Sequence, residues 1–141
     1  MVDELRAWLR SCPLIDSKDR FDVNYLGAEP VCYTVDEVPT TPIIKKYLDG
    51  STLRQKVFVV ASRDAYGANV LQNIANSGFW EQFTEWVETQ NAHRQYPSMR
   101  DGQTPRKIEV TTSHYLFESG ADTARYQIQM ALTYYQKGER T

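Results

Sequence analysis

The side chains best suited to catalysis in this chain are two histidines, two cysteines and a few adjacent carboxylates. His114 has Ser113 beside it and Glu109 nearby, the neighbours a catalytic base would need. Its phase matches Ile108, Val110 and Leu116, so it reads as a structural histidine on the apolar face of a strand. His93 falls at a polar helix end, where a cation suits the dipole. Asp3-Glu4 and Asp36-Glu37 are adjacent pairs. Neighbours in a strand point to opposite faces, so these read as solvating a helix start and a turn rather than forming an acid/base pair. Cys12 and Cys32 are too far apart for a metal-binding CxxC and lack clustered histidines, which suggests two reduced thiols; a disulfide between them stays open. The chain has no nucleophile elbow, phosphate loop, dinucleotide fingerprint or HExxH helix. The expectation is no catalytic residue, no metal, no cofactor and no enzyme activity.

Charge narrows the partners. Sixteen Lys and Arg against eighteen Asp and Glu give a net charge of −2, where a nucleic-acid binder usually carries a basic surplus. Arg54, Lys56, Arg106 and Lys107 could form a basic strip across two strands, too little to predict specific nucleic-acid binding. The N-terminal MVDELRAWLRSCPLI has an acidic pair and no unbroken apolar core, so neither a signal peptide nor a membrane segment is expected. At 141 residues, 41% hydrophobic, the chain suits a single domain over 1–141 with its own core.

The elements follow from periodicity. Residues 2–11 form a short amphipathic helix stopped by Pro13, and strands follow around Phe21–Tyr25 and Val31–Val35. VPTTP (38–42) is an extended connector. Residues 43–48 and 52–62 form a hairpin about Asp49-Gly50, a dipeptide suited to a type I′ turn. Between Ala68 and Arg94 the period becomes helical, with Asn76-Ser77-Gly78 implying two helices or one kinked helix. Residues 107–117 form another strand, joined to a long last one at 123–136. The predicted fold class is α+β, a mostly antiparallel sheet with long hairpins and helices packed on one face.

The last strand alternates without a fault, with Ala124, Tyr126, Ile128, Met130, Leu132 and Tyr134 on one face. At about 3.4 Å per residue it spans about 45 Å, more than the diameter of a compact chain of this size. Its second face carries Arg125, Gln127, Gln129 and Tyr135 among Thr and Ala, uncharged polar surface of the kind protein contacts use. With Arg54 and Lys56, which sit near the first hairpin turn, these form the candidate subunit or tube interface.

The segments LRAWLRSCPLI, NYLGAEPVCYTVDEVPTTPIIKKYLDGSTLRQKVFVVASRDAYGANVLQNIANSGFWEQFTEWVE and KIEVTTSHYLFESGADTARYQIQMALTYY cover nearly the whole chain. Along them it resembles the small tail terminator or tail-completion proteins, often labelled minor capsid proteins, of long-tailed bacteriophages and Gram-positive prophages. The resemblance implies a structural virion protein, assembled in the host bacterial cytoplasm, that forms a homo-oligomeric ring, commonly a hexamer. Its implied partners are the phage tail tube protein, whose polymerisation the ring ends, and the head-tail connector or neck protein. It brings no catalytic residues. A second reading, a cone-shaped ligand-binding or isomerase-like domain with an aromatic pocket, requires His114 or an acid at the floor of an apolar cavity.

Overall fold

A computed structural model describes residues 2–15, 20–24, 26, 32–65, 70–119 and 123–138, without the side chains of 65, 70–77, 118 and 119. Its elements are α1 (Val2–Arg10), β1 (Arg20–Val23), β2 (Cys32–Val38), β3 (Ile43–Lys46), β4 (Thr52–Ala65), α2 (Val70–Ala92), β5 (Gln103–Val110), β6 (Tyr115–Ser119) and β7 (Thr123–Gln136). The strands make one sheet in the order β1-β2-β4-β7-β5, with β3 beside β4 and β6 beside β7. Among the described residues only β1 and β2 pair in parallel; the other pairs are antiparallel. The fold is the expected α+β, with 43–46, 52–65, 103–110, 115–119 and 123–136 in one sheet.

Two 14-residue strands, β4 and β7, form the spine in unbroken register from Thr52↔Gln136 to Ala65↔Thr123. Since β7 occupies one edge of β4 throughout, β2 and β3 share its other edge, pairing with Val57–Arg63 and Thr52–Arg54. On the far edge of β7, β6 pairs with Ala124–Gln127 and β5 with Met130–Gln136. The sheet therefore has four corners, occupied by β1, β3, β5 and β6. β3 and β6 are diagonal to one another, and so are β1 and β5.

Period-two alternation puts Phe58, Val60, Tyr126, Ile128, Met130 and Leu132 on one face, where they meet Leu5, Trp8 and Leu9 of α1 and Trp80, Phe83 and Val87 of α2. Each large side chain fully buried there contributes about 1.5–3 kcal/mol. Trp8 and Trp86 join the two helices at 4.8 Å between ring centroids, and the Trp8 indole N–H donates to the Gln95 carbonyl at 2.9 Å.

The helical segment is one 23-residue helix, the single-helix member of the two alternatives expected. Gly78 sits inside it and costs about 0.5–1 kcal/mol relative to alanine, but the aromatic stripe that follows is seated on the sheet and outweighs that cost. The helix ends in a Schellman motif with Arg94 as its left-handed residue (φ 55°): Gln95 N–H donates to Gln90 O at 2.9 Å and Arg94 N–H to Asn91 O at 3.2 Å. Both positions carry a residue that fits its backbone poorly. A Cβ at Gly78 would meet nothing within 4 Å. Gly78→Ala and Arg94→Gly are each expected to raise the unfolding free energy by about 0.5–1 kcal/mol in urea titrations.

The Asp49-Gly50 hairpin is real, but its turn differs from the expected type I′. Gly50 has φ 88° while Asp49 does not share a positive φ; Gly50 N–H donates to Tyr47 O at 3.1 Å and Tyr47 N–H to Ser51 O at 2.9 Å. This is a three-residue loop with a glycine bulge, held by the Asp49 carboxylate accepting from Ser51 N–H at 2.9 Å. The expected strand 107–117 is broken in two. Thr111 donates its N–H to Gln129 O at 2.8 Å, and the Thr112 hydroxyl accepts from Gln129 N–H at 3.2 Å. The two threonines satisfy the β7 backbone while the chain leaves the sheet.

The second sheet face, expected from its uncharged polar composition to serve protein contacts, is largely buried within the subunit itself. Thr34, Val57, Val59, Ala61, Gln127, Ala131 and Thr133 are all buried there.

Candidate functional site

The six interface candidates divide between the two faces. Arg54 and Lys56 are in register with Tyr134 and Leu132, on the helix-covered side. There Lys56 pairs with Glu37 at 2.9 Å, and Arg54 Nε donates to the Thr52 hydroxyl at 2.9 Å. Arg125, Gln127, Gln129 and Tyr135 lie on the opposite face. Arg125 is the hub: it pairs with Asp36 at 3.0 Å, donates to Gln127 Oε1 at 3.0 Å and stands 5.0 Å over the Phe117 ring. Gln127 donates to the Tyr115 hydroxyl and is buried by its own chain. Gln129 is half-buried, with its backbone held by Thr111 and Thr112.

Tyr135 belongs to a separate group at the β3–β4 hairpin end. Its ring lies 6.3 Å from Tyr47; Lys45 Nζ stands 5.4 Å from the Tyr47 ring and the Arg106 guanidinium 5.6 Å from the Tyr135 ring. A cation at each end of two rings bridges β3, β7 and β5, each exposed contact contributing about 0.5–1 kcal/mol. The four basic-strip residues thus spread over both faces: Lys107 pairs with Glu109 at 3.4 Å and Lys56 with Glu37 at 2.9 Å. Asp36 and Glu37 themselves lie inside β2, not in a turn, and each takes its own cation.

What the sequence reading missed is the exposed apolar surface at the diagonal corners. At the β3 corner Leu48 is fully exposed, Ile44 is 49% and Tyr47 39% exposed; at the β6 corner Phe117 is 55%, Tyr115 45% and Leu116 42% exposed. One signal was available: Tyr115-Leu116-Phe117 is three large apolar residues in a row, and a strand with one buried face cannot bury all three.

The other two corners are covered. At β5, the Ile108 N–H donates to Asn91 Oδ1 on α2 at 3.1 Å, and the Arg106 carbonyl accepts from the Tyr96 hydroxyl at 2.8 Å. Pro105 adds a position with no donor, at a register shift. At β1, Arg6 of α1 donates to the Phe21 carbonyl at 2.6 Å. Side chains and proline on an edge strand are devices that prevent unwanted strand pairing. Among the described residues, no side chain or loop bonds to the outer edge of β3 or β6.

The residues with catalytic potential are dispersed. His114 lies in the link between β5 and β6, half-buried and outside the core, because the strand whose phase was to bury it ends at Val110. His93 is exposed in the turn after α2. Cys12 belongs to the helix-side core, whereas Cys32 alternates with core-facing Tyr33 and turns to the other side of the sheet; neither forms a disulfide. Burial pushes the Cys12 thiol above its ordinary pKa. A thiol raised on folding ionises more readily in the unfolded chain, so its contribution to stability falls as pH rises through the ordinary thiol range. Thiol labelling at pH 8 is expected to modify neither cysteine in the native protein and both after denaturation; prompt native labelling would contradict this placement.

Surface depressions among the described residues include one of about 470 Å³ between α2 and β5, one of about 650 Å³ between Tyr47, Asp49, Arg106 and Tyr135, and one of about 400 Å³ beside Pro39, Pro42, Lys56 and Tyr134. The aromatic residues of the core touch one another, in a chain from Phe21 and Tyr33 through Phe79 to Trp80 and Phe83. Among the described residues, no helix is long and apolar enough to cross a membrane. No protein-family model matches the chain, and no curated protein matches it.

Proposed function

We propose that this protein is a structural subunit of a phage virion, a tail terminator that assembles with copies of itself into a ring. The ring caps the tail tube, ends its polymerisation and offers its other face to the neck of the head. The observation that carries this reading is the pair of exposed apolar corners at opposite ends of the sheet. A surface patch at each of two unlike sites supports head-to-tail association, which gives a ring when the rotation closes. The sequence resemblance to tail terminators supplies the ring and the tube as context; a hexamer is the expected number.

The tube is the direct test. Purified protein is added to a tail tube protein that polymerises on its own, and tube lengths are measured by electron microscopy. Shorter tubes carrying an added ring at one end support the reading. Unchanged lengths, with no protein at tube ends in excess subunit, would refute it.

A further inference from the structure

We infer that neighbouring copies join by pairing β3 of one subunit with β6 of the next, so that a single sheet runs through the assembly. The inference rests on the ring reading and commits to a second copy of this chain as the occupant of both corners.

The edges themselves make the case. An edge strand presents unpaired N–H and C=O groups that template another strand unless they are covered. Here β5 is covered by Asn91 and Tyr96, and β1 by Arg6. β3 and β6 each carry a register shift as β5 does, but no side chain caps their outer edge among the described residues. The same strands carry the exposed apolar side chains Ile44, Tyr115, Leu116 and Phe117. Strand addition uses both resources: backbone bonds give affinity, and side chains on alternate positions give specificity.

Direction and charge agree with this. β3 is antiparallel to β4, β4 to β7 and β7 to β6, so β3 and β6 of one subunit run in opposite directions. A neighbour placed alongside by a small rotation keeps that relation, and the joint is an antiparallel ladder. In sequence, β3 carries Lys45 and Lys46 whereas β6 carries Glu118, so unlike strands attract and a β3–β3 pairing repels. Each subunit then uses its two corners on two different neighbours, a heterologous joint.

Engineered cysteines separate the outcomes. Ile44→Cys is combined in one chain with Tyr115→Cys, Leu116→Cys or Phe117→Cys, and each single variant is prepared as well. The sites are exposed, and Cys12 and Cys32 are buried, so folding is retained and checked by circular dichroism. After mild oxidation, at least one double variant is expected to give a ladder of covalent multimers on denaturing gels, while the single variants stay monomeric. A covalent dimer from any of the four single variants at high yield would mean a symmetric like-to-like contact and would overturn the inference. Native oligomers with no ladder from any of the three pairs would place the joint elsewhere and leave the ring reading standing. Wild-type protein that stays monomeric at all concentrations would overturn both.

Discussion

Phe83→Ala is expected to lower the unfolding free energy by about 3–5 kcal/mol. Phe83 is fully buried on α2 and stands at the centre of an aromatic group: Trp80 edge-on at 5.4 Å, Phe79 at 6.3 Å and Trp86 at 6.0 Å. Removing it forfeits the transfer energy of the ring and leaves a cavity among rings too rigid to collapse into it. Total stability for a domain is about 5–15 kcal/mol, so the variant sits near the threshold of folding. Urea denaturation followed by tryptophan fluorescence reports it directly, because Trp80 and Trp86 flank the site. Phe83→Leu, which refills much of the volume, should recover most of the loss. A cost under about 1 kcal/mol for the alanine variant would mean that α2 is not seated on the sheet.

Phe117→Asp and Ile44→Asp are expected to abolish assembly while leaving the monomer folded. Both side chains are about half exposed in the isolated subunit, so an aspartate there removes little burial within the chain. In the joint the same carboxylate would be desolvated. Residues at the centre of an interface contribute 2 kcal/mol or more, and tenfold in affinity corresponds to about 1.4 kcal/mol. Subunit dissociation constants should therefore rise by about 30-fold or more. Arg125 already stands over the Phe117 ring and would neutralise an aspartate at that position within the subunit, so the thermal midpoint should change little. Sedimentation velocity and thermal unfolding on the same samples separate the two effects. Equal losses of assembly and of folding would place these residues in the subunit core instead.

The sequence made the spine legible because its signal was long and unambiguous. Alternation over Thr123–Gln136 matched β7 at both ends, and the face carrying Tyr126, Ile128 and Leu132 is the core face. The aromatic stripe of α2 was legible for the same reason, a clear period. Breaks in elements were not. Asn76-Ser77-Gly78 looks like a helix end, but packing C-terminal to it overrides local propensity. Thr111-Thr112 continues the β-type composition of residues 107–117, although the two side chains in fact replace the ladder. The candidate interface was legible only in part. Gln127 has an interface composition, yet its partners are Arg125 and Tyr115 of the same chain. The exposed corners depend on which edges the helices cover, and that is decided by contacts such as Asn91 to Ile108 and Arg6 to Phe21, far apart in sequence.

Native mass spectrometry of the wild-type protein at tens of micromolar tests the central claim most directly. The account predicts one discrete closed species, with six copies of the 16.3 kDa chain as the expected number, and no ladder of intermediate sizes. A spectrum holding only the 16.3 kDa monomer across that range would contradict it.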